Sequence, residues 1–228
     1  MTTRTLASYI DHTLLKPDAV HSGYEKLAAE AAEHGFAAVC VPPAWVSFVA
    51  ERLAGTPVRT GTVIGFPFGY VHPEARRAES LRALADGAVE LDTVIDLSWL
   101  KGEEPWPARA LADLESWVKA VRGERPDATL KVILETALLS EAEKIRGTEI
   151  AVAVGADYVK TSTGFGPGGA TVEDVALLAR TASGRALIKA SGGIRDLPTT
   201  RAMIAAGADR IGTSNGVAIL AEAAAAAG

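Results

Sequence analysis

The chain has 228 residues, a formal net charge of −5, 48% hydrophobic and 22% charged residues, and a single cysteine, Cys40. That length and apolar share allow one substantial core. The negative charge offers no general attraction to nucleic acid or to an anionic membrane, and one thiol excludes an intrachain disulfide. No run of about 18 apolar residues is present, and no apolar stretch precedes the first charges of MTTRTLASYIDHTLLK. Neither a membrane span nor a secretory signal is therefore read, and a reducing, cytoplasmic setting is expected.

Eight short strands are predicted in order, over residues 10–14, 37–41, 59–64, 90–95, 130–135, 158–161, 187–190 and 210–212. Helical segments fill the intervals. Four of them end on Gly35, Gly87, Gly155 or Gly207, where a helix needs a left-handed stop before the chain re-enters a sheet. Pro43, Pro73 and Pro198 fall where a first helical turn tolerates a missing amide hydrogen. Ala108, Leu111, Leu114, Val118 and Val121 recur at three- and four-residue steps and predict one apolar stripe facing a core. Ser140 with Glu143 predicts a capping box. The alanine-rich end reads as a helix tail, and Trp45, Trp99, Trp106 and Trp117 read as packing residues rather than a stacking surface for bases.

Strand–helix alternation implies a parallel sheet. Eight units of about 28 residues match a compact (β/α)8 TIM barrel, an α/β fold, here one domain over 1–228. An open doubly wound sheet is the rival, differing only in closure.

In a barrel, reacting groups project from the C-terminal ends of strands. Polar residues gather at those places: Asp11, His12 and Thr13; Asp92 and Asp96; Lys131 and Glu135; Lys160, Thr161 and Ser162; Lys189 and Ser191; Thr213 and Ser214. Lys160 and Lys189 fall on neighbouring strands, the sixth and seventh. Burial and a second ammonium both disfavour a lysine's charge. An unperturbed lysine is about one part in a thousand neutral at pH 7.4, and a pKa lowered by roughly three units removes about 4 kcal/mol of that penalty. A neutral amine can then attack a carbonyl. The competing reading is a structural ion pair with Asp92 or Glu135. Asp92, inside VELDTVI, is read either as a proton carrier at the substrate carbinol or as a salt-bridge partner. Glu135 is expected to orient the lysines by charge.

Gly192 and Gly193 after the seventh strand, and Gly212 to Gly216 after the eighth, predict an anion site of converging backbone amides, with Arg195 adding charge. His12, His21, His34 and His72 show no metal-ligand spacing, so no metal or other cofactor is expected and an enolate would be stabilised covalently. His12 and Cys40 read as packed core groups.

The segments DHTLLKP, VCVPP, VIGFPFG, KVILET, GADYVKTSTGF, KASGGIR and GADRIGTS, spread over almost the whole chain, resemble the deoxyribose-phosphate aldolase family. The resemblance implies a class I lyase that splits 2-deoxy-D-ribose 5-phosphate into D-glyceraldehyde 3-phosphate and acetaldehyde through a Schiff base on Lys160. It implies that Lys189 lowers the pKa of Lys160 and that Asp92 assists proton transfer. It also implies substrate contacts from Thr13, Glu135, Thr161, Gly164, Gly192, Gly193, Arg195, Gly212 and Ser214. Partners are then small phosphorylated sugars and aldehydes, and a homo-oligomer is compatible. Against the family pattern, Asp96 adds a carboxylate expected to shift the site's electrostatics, Phe165 and Asn215 replace phosphate-facing groups, and the tail lacks a tyrosine implicated in proton transfer. Two other functions fit the same barrel: a phosphosugar isomerase or epimerase using Asp92 and Glu135, and a phosphosugar-binding protein without catalysis.

Overall fold

A computed structural model describes residues 5–226. Eight parallel strands close on themselves in the order β1 to β8, with β8 returning to β1. In chain order the elements are β1 (Ile10–Thr13), α1 (His21–His34), β2 (Ala38–Val41), α2 (Val46–Arg52), β3 (Arg59–Ile64), α3 (Pro73–Ala85), β4 (Glu90–Val94), α4 (Leu97–Leu100), α5 (Trp106–Glu124) and β5 (Thr129–Ile133). They continue as α6 (Glu141–Ala153), β6 (Tyr158–Lys160), α7 (Val172–Ala182), β7 (Leu187–Ser191), α8 (Leu197–Ala205), β8 (Arg210–Thr213) and α9 (Gly216–Ala225). This is the (β/α)8 barrel expected, and closure removes the doubly wound alternative.

The strands obey a period of two. Val39, Val41, Leu91, Leu130, Val132, Val159, Ile188, Ala190 and Ile211 join the apolar core shared with the helices. The alternate positions face the barrel axis, and there buried charge (Asp11, Glu90, Asp92, Lys131, Lys160, Lys189 and Arg210) sits among apolar residues such as Ala38, Val63, Val94 and Ile133. Gly35, Gly155 and Gly207 carry the positive φ that ends a helix before β2, β6 and β8, and Gly87 does so before β4. Ser140 and Glu143 form the reciprocal cap of α6.

The expected stripe of α5 faces the core at Leu111, Leu114, Val118 and Val121. On α5 the buried residues are Pro107, Ala110, Asp113, Leu114, Trp117 and Val121, while Ala108 is exposed. The same face is widened by Trp117, fully buried, which donates its Nε1–H to Ser80 Oγ at 2.8 Å on α3. Beside it, buried Arg76 pairs with Asp113 at 3.2 Å and donates to the carbonyls of Val94 and Gly69, both at 2.7 Å, and to the Thr93 hydroxyl. That guanidinium ties α3 and α5 to the end of β4 and the loop after β3, immediately beyond Asp92.

Candidate active site

Register, not sequence proximity, builds the interior. Lys160 lies opposite Lys189 in the β6–β7 pairing, and Asp92 lies opposite Lys131 in the β4–β5 pairing. Their side chains converge. Lys160 Nζ stands 2.8 Å from Asp92 Oδ2, Lys189 Nζ is also 2.8 Å from Asp92 Oδ2, and Lys131 Nζ is 2.7 Å from Asp92 Oδ1. Lys189 further reaches Asp11 Oδ2 at 2.5 Å. Lys160 is 3% exposed, and the other four are more deeply buried still.

The two strand lysines are pushed in opposite directions. Burial lowers the pKa of Lys160; Asp92 resists this and the positive charge of Lys189 adds to it, and the net shift is downward. For Lys189, burial also opposes the charge, but Asp11 and Asp92 together overcome it and the pKa rises. Lys189 is thus a fixed cation beside an amine inclined to shed its proton. Asp92, despite burial, is held well below the usual carboxylate range by Lys131, Lys160 and Lys189. Both sequence readings of the lysines therefore hold in part: each is ion-paired, and only Lys160 is depressed. Cys40 lies close enough to feel these charges, and its thiol is pushed up to about 11, chiefly by burial.

Above Lys160 opens a cleft of about 410 Å³ lined by Thr13, Lys16, Gly164, Phe165, Gly192, Gly193, Arg195, Gly212, Ser214 and Asn215 among others. Gly192 and Gly193 take successive left-handed conformations, with φ of 87° and 78°. A Cβ on Gly212 would stand 2.9 Å from Ser191 Cβ and 3.2 Å from Lys189 Cε, so glycine there leaves room for the lysine stem. Asn215 offers no side-chain cap to α9, unlike Asp196, which caps α8 by accepting from the Thr199 amide at 2.8 Å. The N-terminus of α9 thus faces the cleft region without a side-chain acceptor from its cap residue, a place suited to an anion.

The structure gives three of these side chains other partners. Glu135 orients no lysine: two residues beyond β5 it takes a left-handed conformation (φ 54°), accepts from the Thr163 amide at 3.2 Å and from the Thr163 hydroxyl, and so braces the loop after β6. Thr161 does not line the cleft; its fully buried hydroxyl donates to the Ser191 carbonyl and accepts from the Ser191 amide, both at 3.1 Å, tying β6 to β7. Asp96 is spent on capping α4, accepting from the Ser98 amide at 2.8 Å, the Ser98 hydroxyl at 2.6 Å and the Trp99 amide at 3.3 Å. His12 is packed as read, bonded to Glu30 at 2.8 Å. Lys16, in DHTLLKP on the loop that follows β1, also lines the cleft, and its place in that segment is the one sequence signal that marks it. Among the described residues, no His, Cys, Asp and Glu side chains group so as to hold a metal ion, and no helix is long and apolar enough to cross a membrane.

A closed parallel barrel with a buried lysine, its pKa lowered chiefly by that burial, under a glycine-looped cleft defines an aldolase-type site. The chain matches the DeoC/LacD family aldolase model over residues 5–223 and belongs to that family. It is 51% identical to the deoxyribose-phosphate aldolase of Brevibacillus brevis over 212 residues, 93% of each chain. Among solved structures it superposes on "QR15, an Aldolase" with a TM-score of 0.88 at 42% identity, covering 96% of both chains. The deoxyribose phosphate aldolase of Aeropyrum pernix, which has a unique tetrameric structure, gives a TM-score of 0.88 at 34% identity, covering 96% of this chain and 91% of that one.

Proposed function

We propose that this chain is a class I aldolase that reversibly cleaves 2-deoxy-D-ribose 5-phosphate to D-glyceraldehyde 3-phosphate and acetaldehyde, with Lys160 as the Schiff-base residue. The observation that carries this reading is the position of Lys160, which is both a lining residue of the cleft and the one buried strand lysine whose pKa falls. In the cleavage direction its neutral amine adds to C1 of the open-chain aldehyde and water leaves, giving an iminium. Asp92, directly or through a water, takes the proton of the C3 hydroxyl. The bond that breaks is C2–C3, because acetaldehyde carries C1 and C2; scission at C3–C4 would release a three-carbon fragment instead. The electron pair moves into the iminium, and the resulting enamine is protonated at C2 and hydrolysed, which returns the amine.

The phosphate is assigned to the far end of the cleft, at Gly192, Gly193, Gly212 and Ser214, with Gly164 on the facing loop. Arg195 and Lys16, from the loops after β7 and β1, are the cations of that end. Phe165, 47% exposed, supplies no charge there and instead packs edge-on against Phe66 with ring centroids 5.4 Å apart. Replacing Lys16 or Arg195 by alanine should therefore raise KM for the phosphorylated sugar about tenfold, the worth of a charge-assisted hydrogen bond, and leave turnover of unphosphorylated 2-deoxy-D-ribose unchanged. Equal losses on both sugars would move the phosphate elsewhere.

The function is tested by incubating the protein with 2-deoxy-D-ribose 5-phosphate and following acetaldehyde, with and without borohydride. Acetaldehyde release and a reduced adduct on the peptide carrying Lys160 are expected, unchanged by EDTA because the interior carboxylates are already engaged by ammonium and guanidinium groups. Turnover with no adduct would favour the isomerase or epimerase reading, and binding with no aldehyde would favour a sugar-phosphate binder.

A further inference from the structure

The ion pairs beneath Lys160 close into a ring. Asp92 meets Lys131 at 2.7 Å, Lys131 meets Glu90 at 2.6 Å, Glu90 meets Arg210 at 3.4 Å, Arg210 meets Asp11 at 2.6 Å, Asp11 meets Lys189 at 2.5 Å, and Lys189 returns to Asp92 at 2.8 Å. The signs alternate at every step. Three carboxylates face three cations, drawn from β1, β4, β5, β7 and β8, and every member is buried. Lys160 hangs from Asp92 outside this ring, as a seventh charge with no anion of its own.

Three further titratable neighbours lie against these groups. On β2, Cys40 stays a thiol, pushed up to about 11 by burial. On β6, Tyr158 offers its hydroxyl to Arg210 at 3.4 Å. On β3, Arg59 brings its buried Nε to 2.9 Å from Glu90 Oε1, while its side chain as a whole is 41% exposed, so it adds a partly hydrated cation at the outer edge of the ring and is left unchanged in every variant below.

We infer that Glu90 and Arg210, neither of which lines the cleft, are positioning residues for the Schiff-base reaction. They complete a neutral ring and so leave Lys160 as the uncompensated cation, which favours its neutral, nucleophilic form. The inference rests on the Schiff-base reading of Lys160. Its physical content is redistribution. Without Arg210, Asp11 and Glu90 must draw on Lys189 and Lys131, and Asp92, less well compensated, holds the proton on Lys160. Without Glu90, the interior gains net positive charge, and Lys160 gives up its proton more readily.

The readout is the pH dependence of reductive trapping of 2-deoxy-D-ribose 5-phosphate on Lys160 by cyanoborohydride, whose acid limb follows loss of the ammonium proton. Arg210→Met should move that limb up by about one pH unit or more, so that trapping below the limb falls about tenfold. Glu90→Gln should move it down. The double variant Arg210→Met with Glu90→Gln, which restores neutrality, should return it to the parent position, and Arg210→Lys should leave it in place. A role confined to holding the barrel together would weaken trapping at every pH and move no limb. The idea is overturned if either single variant leaves the limb in place, if both move it the same way, or if the double does not return it. Should Arg210→Met not fold, Glu90→Gln decides alone: a downward shift supports the ring, and an unmoved limb sinks it. A parent protein that traps nothing on Lys160 would instead overturn the proposed function, which is a separate result.

Discussion

Lys160→Met is expected to lower acetaldehyde release by about 10⁴-fold or more, the scale of removing a covalent nucleophile, and to abolish the borohydride adduct. Lys160→Arg should be equally inactive, because a guanidinium keeps the charge but is not deprotonated in proteins. The same substitution carries a second, less obvious expectation. Since Lys160 is a pendant charge on a neutral ring, its loss leaves all six ring members paired. The folded state sheds a buried cation that was costly to desolvate, and methionine fills a similar volume. Thermal unfolding of Lys160→Met should therefore occur at the parent's temperature or above it. Retained activity would remove Lys160 from the chemistry, and a fall of many degrees would show that it is a structural counter-ion after all.

Much of this site could be read from the chain because its signals are local. The helix-stop glycines, the strand lysines of YVKTSTG and LIKASGG, and the glycine loops after β7 and β8 each reveal themselves within a few residues. What escaped depends on register between distant segments. Arg210 and Asp11 are 199 residues apart, and Lys131 is 41 from Glu90. Nothing near Glu90 or Arg210 marks them as buried, yet their positions carry a faint trace. Glu90 and Asp92 are two residues apart, as are Tyr158 and Lys160, so in a period-two strand each pair must face one way. Read in that manner, an inward Asp92 carries Glu90 inward with it. Glu135 and Thr161 misled for the complementary reason. A carboxylate and a hydroxyl at strand ends look available, but one is consumed by the loop after β6 and the other by the neighbouring strand. On α5 the apolar periodicity is legible, but the burial of Trp117 and Asp113 follows from their partners on α3, which no periodicity within α5 reveals.

Asp92→Asn is the variant in which chemistry and stability should fail together, and their pH dependence separates the two. Catalytically it removes the carboxylate set 2.8 Å from the reacting amine, and a loss of about 10²–10⁴-fold in kcat is expected, the usual worth of a positioned proton carrier. Structurally it leaves the ammonium groups of Lys131, Lys160 and Lys189 without the one anion they share, and breaking a buried pair in this way costs about 3–5 kcal/mol. The sign follows from Lys160. Its folded pKa already lies below the ordinary lysine value, and losing Asp92 lowers it further. A buried lysine with a depressed pKa destabilises the fold fully at pH values below that folded pKa. The penalty shrinks as pH rises toward the unfolded value of about 10.4 and is gone above it. Urea unfolding of Asp92→Asn should accordingly show its largest deficit against the parent at neutral pH and a smaller one at pH 9, while kcat stays low at both, because asparagine accepts no proton. A deficit that does not change with pH would mean that the lysines are not strained by the loss. Recovery of kcat at alkaline pH would mean that Asp92 serves only to set charge and that another group carries the proton.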